Sequence, residues 1–554
     1  MKKSKFYSFL AIALAASVFL AGCYGGGDQG ANEGGGEGGE AEQVLRITES
    51  AEIPTMDSVL ATDEVGFNVM NQVFEGLMRL NQENEPESAV AEDYEVNEEE
   101  TVYTFTLRED AKWSNGDPVT ANDFVFAWRK AVDPETGSEY GPYMMNGVIK
   151  NATQVSTGEL PPEELGVQAQ DDRTLVVTLE RPVPYFISLM TFPTFYPQNE
   201  AFVKEQGNQF ALNSDSLVYN GPFVLSNWNG TGQSWDFEKN DQYWDKDTVQ
   251  LERINVTVAK DSQSRVNYYE AGDTDISGEL SSDYVTKYKE DPNFVSYLEP
   301  TIFWIKMNQD REVLQNENIR RAIALAIDKD NLAEDILKNG SIGANFAVPQ
   351  DFVTHPESGE DFREANGNML EHNPEEAKKY WEQGLAELGV TELTLEILGG
   401  DTDNAKRMDE WLKNQLEKNL PGLTITLSEV PFSVRLQRDT NLDYDLQVAG
   451  WGPDYQDPMT FSDLWVTGGG NNNMAYSNPE YDRLINDAKT TLANQPVERF
   501  EALQEAERIL LEEDAAIAPL YQEGKSLLIQ DYVKGLVVHP FGPTYSYKWV
   551  TIEK

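Results

Sequence analysis

The sequence predicts a mixed α/β or α+β fold, and three observations predict it. Stretches that alternate apolar and polar residues are interleaved with amphipathic stretches along the whole chain. Hydrophobic residues make up 40% and aromatics 11% of 554 residues, too apolar for a disordered chain and enough for several cores. From Val44 onward no long low-complexity stretch and no short repeat interrupts the pattern.

In chain order, the first strand signal is Val44-Leu45-Arg46-Ile47-Thr48, and Thr101–Leu107, Thr174–Leu179 and Leu393–Leu398 alternate in the same way. Trp113-Ser114-Asn115-Gly116-Asp117-Pro118 reads as a turn, after which Thr120 or Asn122 caps a helix carrying Phe124, Phe126, Ala127 and Trp128. Asn220-Gly221-Pro222 reads as a turn into a strand. Ile319, Ala322, Ile323, Ala326 and Ile327 share one face of a helix expected between Asn318 and Leu337. Phe500, Leu503, Ala506 and Leu510 mark another, ending before Pro519.

The N-terminus reads as an address. Lys2, Lys3 and Lys5 precede the apolar run Phe9–Leu20, the pattern of an export signal and too short to span a bilayer comfortably. The run ends in Leu20-Ala21-Gly22-Cys23, which looks like a bacterial lipobox and holds the only cysteine of the chain. An acylated Cys23 would anchor the protein to a membrane. The following residues, rich in Gly and Glu, read as a solvated tether. The expected division is 1–22 signal and 23–43 anchored linker.

Composition excludes several functions. One Cys permits no internal disulfide, and one Cys with three His leaves little for a zinc, haem or iron–sulfur centre, so no metal and no cofactor is expected. A formal charge of −52 argues against a nucleic-acid partner, which needs clustered Lys and Arg. The acid is dispersed, as on a surface adapted to high salt or high pH. No G-x-S-x-G elbow, phosphate-binding loop or H-E-x-x-H helix is present, so no enzyme is expected. His355, His372 and His539 read as loop or surface residues, and Gly468-Gly469-Gly470 as a turn. Asp401-Thr402-Asp403-Asn404 lacks the glycine and terminal glutamate of a calcium loop.

A series of ordered blocks carries the most information. They are FEGLMRL (74–80), KWSNGDPVTANDFVFAWRKAVDP (112–134), PVPYF (182–186), YNGPFVLSNW (219–228), YYEAGDTDI (268–276), NIRRAIALAIDKDNL (318–332), AGWGPDYQDPMTF (449–461) and APLYQ (518–522). In this order, behind a lipobox, they resemble the oligopeptide-binding lipoproteins of peptide-importing ABC transporters, solute-binding protein family 5. The resemblance implies a periplasmic-binding-protein-like α/β fold of two lobes around a hinge, with a domain inserted in the first lobe. Mapped here, lobe one takes 44–75, 200–302 and 522–554, the insert 76–199, and lobe two 303–521.

It further implies a monomeric receptor on the outer face of the cell membrane. An extended peptide would lie between the lobes, paired through its main chain with strands from both, and be handed to a membrane ABC permease. Gly450, Trp451 and Gly452 match one such strand, and Glu64, Val65 and Gly66, next to Asp63, approximate the other. Asp454 matches the aspartate that receives the peptide's ammonium. Tyr140, Tyr143, Trp304, Asn308 and Tyr521 fall near pocket positions. Val448 and Ala405 stand where the family carries an Arg and a His, and a pocket Trp has no match between Glu429 and Phe432, so peptide length and carboxy-terminal preference stay open. So do a different solute of the same fold (a signalling peptide, nickel chelate or sugar) and, in other classes, a lipid-anchored hydrolase or an adhesin.

Overall fold

The computed structural model describes residues 42–400 and 403–554. The expected export signal, Cys23 and nearly all of the expected tether lie outside the described residues, as do Asp401 and Thr402 of the acidic turn. The linker ends earlier than expected: the Gln43 side chain donates to the Ile552 carbonyl at 2.9 Å and accepts its N–H at 3.0 Å, so Gln43 belongs to the fold.

Three sheets carry the architecture. The first runs Val44–Glu49, Arg253–Val258, Ser234–Lys239, Phe223–Ser226, the first pair parallel and the others antiparallel. Its register sets Leu45 beside Ile254 and Ile47 beside Val256, so every second side chain is buried. The second, antiparallel throughout, runs Ala91–Val96, Val102–Leu107, Thr174–Thr178, Val167–Ala169. The third has six strands in the order Ile342–Gly343, Ile517–Leu528, Phe294–Met307, Leu446–Trp451, Leu393–Gly400, Leu423–Val430. This mixed sheet, with parallel pairs at one end and antiparallel pairs at the other, is the α/β arrangement that the alternating signals imply.

Local chemistry explains most element boundaries. Helix Ala121–Val132 begins at Thr120, whose backbone N–H donates to the Asp123 carboxylate at 2.8 Å. Trp128 on this helix is fully buried and its indole N–H donates to the Phe195 carbonyl at 2.9 Å. The single helix expected over 318–337 is broken. Glu317–Leu325 ends, and Asp328 accepts the Asn331 N–H at 3.1 Å, capping a new short turn that runs into a π-helical stretch, Leu332–Leu337. A hydrophobic period persists across such a break because both pieces pack on one core, which the period alone does not reveal. His539 is a further correction: it is buried, not exposed, and its Nδ1 meets Asn84 Oδ1 at 2.8 Å.

Two long strands, Phe294–Met307 and Ile517–Leu528, hold the site in place. They pair antiparallel along most of their length, with register shifts between Leu298 and Ile302 and between Phe303 and Trp304. One end joins a small core of Val266, Tyr269, Leu280, Val285 and Leu528; the other enters the six-stranded sheet. Both lobe boundaries expected from the sequence fall inside these strands.

Candidate functional site

The site begins at a strand edge. Leu446–Trp451 is bound on one side to Phe294–Met307, with Phe303 opposite Gly450 and Ile302 opposite Trp451. On its other side Leu393–Gly400 pairs only with Leu446 and Gln447 before the strands diverge. Beyond Gln447 that edge has no neighbouring strand among the described residues, and Gly450 and Gly452 are exposed there. Such an edge offers main-chain N–H and C=O groups to an added strand. The glycine at 450 has a packing reason too: a Cβ there would lie 2.6 Å from the Phe303 ring.

This edge lines a cavity of about 350 Å³. Gly450, Trp451, Gly452 and Asp454 form one wall; Glu64 and Tyr140 come from the opposite side, with Phe67 and Phe192. The walls touch. Trp451 meets Tyr143 edge-on at 6.0 Å between ring centroids, Tyr455 stacks on Tyr185 at 4.5 Å, and the Gly542 N–H donates to the Pro453 carbonyl at 3.0 Å. The Gln456 N–H donates to Ser188 Oγ at 3.2 Å. The cavity stays partly open to solvent, so a guest in it would be covered on two sides rather than sealed off.

Asp454 is the electrostatic centre. It is 7% exposed, and among the described residues no cation pairs with it and its Oδ2 has no hydrogen-bond partner. The facing Tyr143 hydroxyl is buried and unpartnered as well, so the two groups approach without closing a bond. Burial pushes the Asp454 carboxyl up to about 7, and Tyr143 pulls slightly the other way. A buried carboxylate without a cation costs several kcal/mol, on the order of 3–5. A positively charged group entering the cavity would relieve that cost.

The structure redistributes the expected site residues. Gly450, Trp451, Gly452, Asp454, Tyr140, Tyr143 and Glu64 come together around the cavity. The segment Asp63–Gly66 is not a strand: Asp63 caps helix Glu64–Val73, accepting the Gly66 N–H at 2.9 Å, so these residues form a helical first turn with no ladder to offer. The extended backbone on that side is at the cap residue Asp63 (φ −134°, ψ 152°), and Thr62, just before it, lines the cavity. Val65 lines a second cavity of about 160 Å³, and Gly66 lies against Thr55 and Asp63.

Three further residues are structural. Trp304 is 3% exposed and packs against Trp465. Asn308 donates to the carbonyls of Leu442 and Tyr444, bracing that loop. Tyr521 stacks behind Phe303 at 4.7 Å, and Phe303 is the ring the cavity meets.

Sequence reasoning missed Glu299, Thr301, Phe303, Arg435, Glu523 and the 539–544 loop, all of which line the cavity. One signal was legible: Glu523 and Lys525 are charges inside an otherwise strand-like stretch, where burial makes them costly. Among the described residues no group of three or more His, Cys, Asp or Glu is placed to hold a metal ion.

A mixed α/β fold with a cavity lined by an open strand edge and a lone buried carboxylate has the features of a solute-binding protein. Residues 85–473 match the family model of bacterial extracellular solute-binding proteins, family 5. The chain is 34% identical to the dipeptide-binding protein DppE of Bacillus subtilis over 98% of each chain. It superposes on the structure of Listeria monocytogenes OppA bound to peptide with a TM-score of 0.84 and 49% identity, over 93% of this chain and 100% of that one. An oligopeptide ABC transporter substrate-binding domain from Bacillus anthracis gives 0.85 and 45%, over 93% and 99%. The chain belongs to family 5 of the extracellular solute-binding proteins, and its role is binding rather than catalysis.

Proposed function

We propose that this chain is the receptor of a peptide importer: it captures oligopeptides outside the cytoplasm, closes on them and delivers them to a membrane ABC permease. The peptide-binding relatives support this reading. The single observation that carries it is Asp454, a buried carboxylate without a cation at the end of an open strand edge. In this role the edge at Gly450–Gly452 pairs with the guest's main chain, which every peptide shares, and Asp454 takes the α-ammonium. Trp451, Tyr140 and Tyr143 give broad apolar walls.

The proposed lobes are 44–75 with 200–302 and 522–554, the insert 76–199, and lobe two 303–521. Only two strands cross between them, and both are irregular at the crossing, which supports a hinge. The guest must contact both walls, because only contacts made in the closed state favour closure. We further propose a monomer anchored to the outer face of the membrane by lipid on Cys23. Cys23→Ala should move the protein from the membrane fraction to the soluble fraction; retention in the membrane would rule out that anchor.

The central test is calorimetry with paired peptides. Asp454→Asn should weaken peptides with a free amine by about tenfold or more, the worth of a charge-assisted hydrogen bond, and leave N-acetylated ones nearly unchanged. Equal losses for both would remove Asp454 from the ammonium role.

A further inference from the structure

The cavity contains a second negative region, away from Asp454. Glu299 and Glu523 line it where the two long strands are irregular, and Glu64 joins them from its helix. Lys525 is the cation among them, 3.0 Å from Glu299 Oε2 and 3.5 Å from Glu64 Oε1. Glu64 is further satisfied by the Thr544 hydroxyl at 2.9 Å. Glu299 is not: it is 8% exposed, and its Oε1 is buried without a hydrogen-bond partner.

The other basic side chains lining this cavity are engaged elsewhere: Arg435 donates to the Val448 carbonyl at 3.1 Å, and His539 meets Asn84 at 2.8 Å. Glu49 and Glu279 add further carboxylates to the adjoining cavity. The Arg265 guanidinium there donates to the carbonyls of Ala259 and Glu279. Tyr297 and Tyr545 bond to each other, hydroxyl to hydroxyl, at 3.0 Å. Three carboxylates thus share one lysine at this end of the cavity, and one buried carboxylate oxygen is left over.

We propose that Glu299, with Glu523 and Glu64, forms a subsite for a Lys or Arg side chain of the bound peptide, so that this receptor selects guests with a basic residue beyond the amino terminus. This rests on the peptide-receptor reading above. A basic side chain would give Glu299 Oε1 its partner and balance the excess acid, and a neutral side chain would leave both as they are. Burial, with Lys525 opposing it, raises Glu299 to about 7 and Glu523 to about 8, which is how a site short of positive charge behaves.

The test is calorimetry on the purified full chain with alanine peptides of several lengths, each non-terminal position carrying Lys, norleucine or Glu in turn. At one position Lys should bind about tenfold tighter than norleucine, and Glu more weakly than either. The Lys gain should grow as the pH is raised through about 7 to about 8, where the carboxyls ionise. It should vanish in Glu299→Gln, with the melting temperature checked to show that the variant folds. Equal affinity for Lys and norleucine at every position would overturn the subsite, as would a gain undiminished in Glu299→Gln. Neutral peptides that bind with no preference for Lys would sink this proposal alone. If no peptide of any kind binds, the receptor reading falls and takes the subsite with it.

Discussion

Asp454 and Asp457 lie in one loop and are almost equally buried, at 7% and 8% exposure, yet the fold treats them in opposite ways. Asp457 is met by Arg499 through two hydrogen bonds, of 2.7 and 2.8 Å. Asp454 meets no cation, and one of its oxygens has no partner. The same side chain at the same depth is therefore a structural strut in one position and an open valence in the other. Burial alone does not mark a binding residue; burial with the counter-charge left out does.

The contrast is broken most severely at the strut. Arg499→Ala leaves the Asp457 carboxylate buried and unpaired, so unfolding free energy should fall by about 3–5 kcal/mol in denaturant titration. A small loss would mean that solvent reaches Asp457 easily and that the two aspartates differ less than their geometry indicates.

Asp454 should respond in the opposite sense. Its carboxyl is raised from 3.8 to about 7 in the folded chain. Below the lower value both states are protonated. As the pH climbs from one value to the other, the unfolded chain releases a proton that the folded chain keeps, so stability falls, and it levels off above about 7. The empty receptor should lose about 4 kcal/mol over that range through this residue. Asp454→Asn should remove that component of the pH profile, and unchanged curvature would show that the carboxyl is not desolvated.

A smaller effect is expected at Gly450→Ala, whose Cβ must displace the Phe303 ring; a loss of about 1–3 kcal/mol by thermal melting would match overpacking. The smallest concerns collective charge. With 95 acidic against 43 basic residues, the melting temperature should rise modestly with NaCl, whereas the Arg499 effect should barely respond, because buried pairs are screened little. No rise with salt would count against adaptation to high salt.

How far the site was legible depends on the range of each interaction. The strand Leu446–Trp451 and Asp454 sit in one short, unusual block, so local pattern pointed to them. The strand expected at Glu64–Gly66 rests on position in the resemblance alone, and the structure starts helix Glu64–Val73 there instead, because the Asp63 carboxylate accepts the Gly66 N–H. The expectation that Asn308 and Trp304 are pocket residues rests on their position in the resemblance. Their partners, Leu442, Tyr444 and Trp465, are far along the chain and claim those side chains for packing.

The sequence by itself determined the mixed fold, the family and the candidacy of Asp454, because periodicity and ordered motifs are local properties of a chain. Only the tertiary structure decided which charges are answered. Arg499 reaches Asp457, Lys525 is shared among Glu64, Glu299 and Glu523, and Asp454 is left open. Electrostatic pairing acts through a few ångströms of space rather than along the chain, and folding sets those distances.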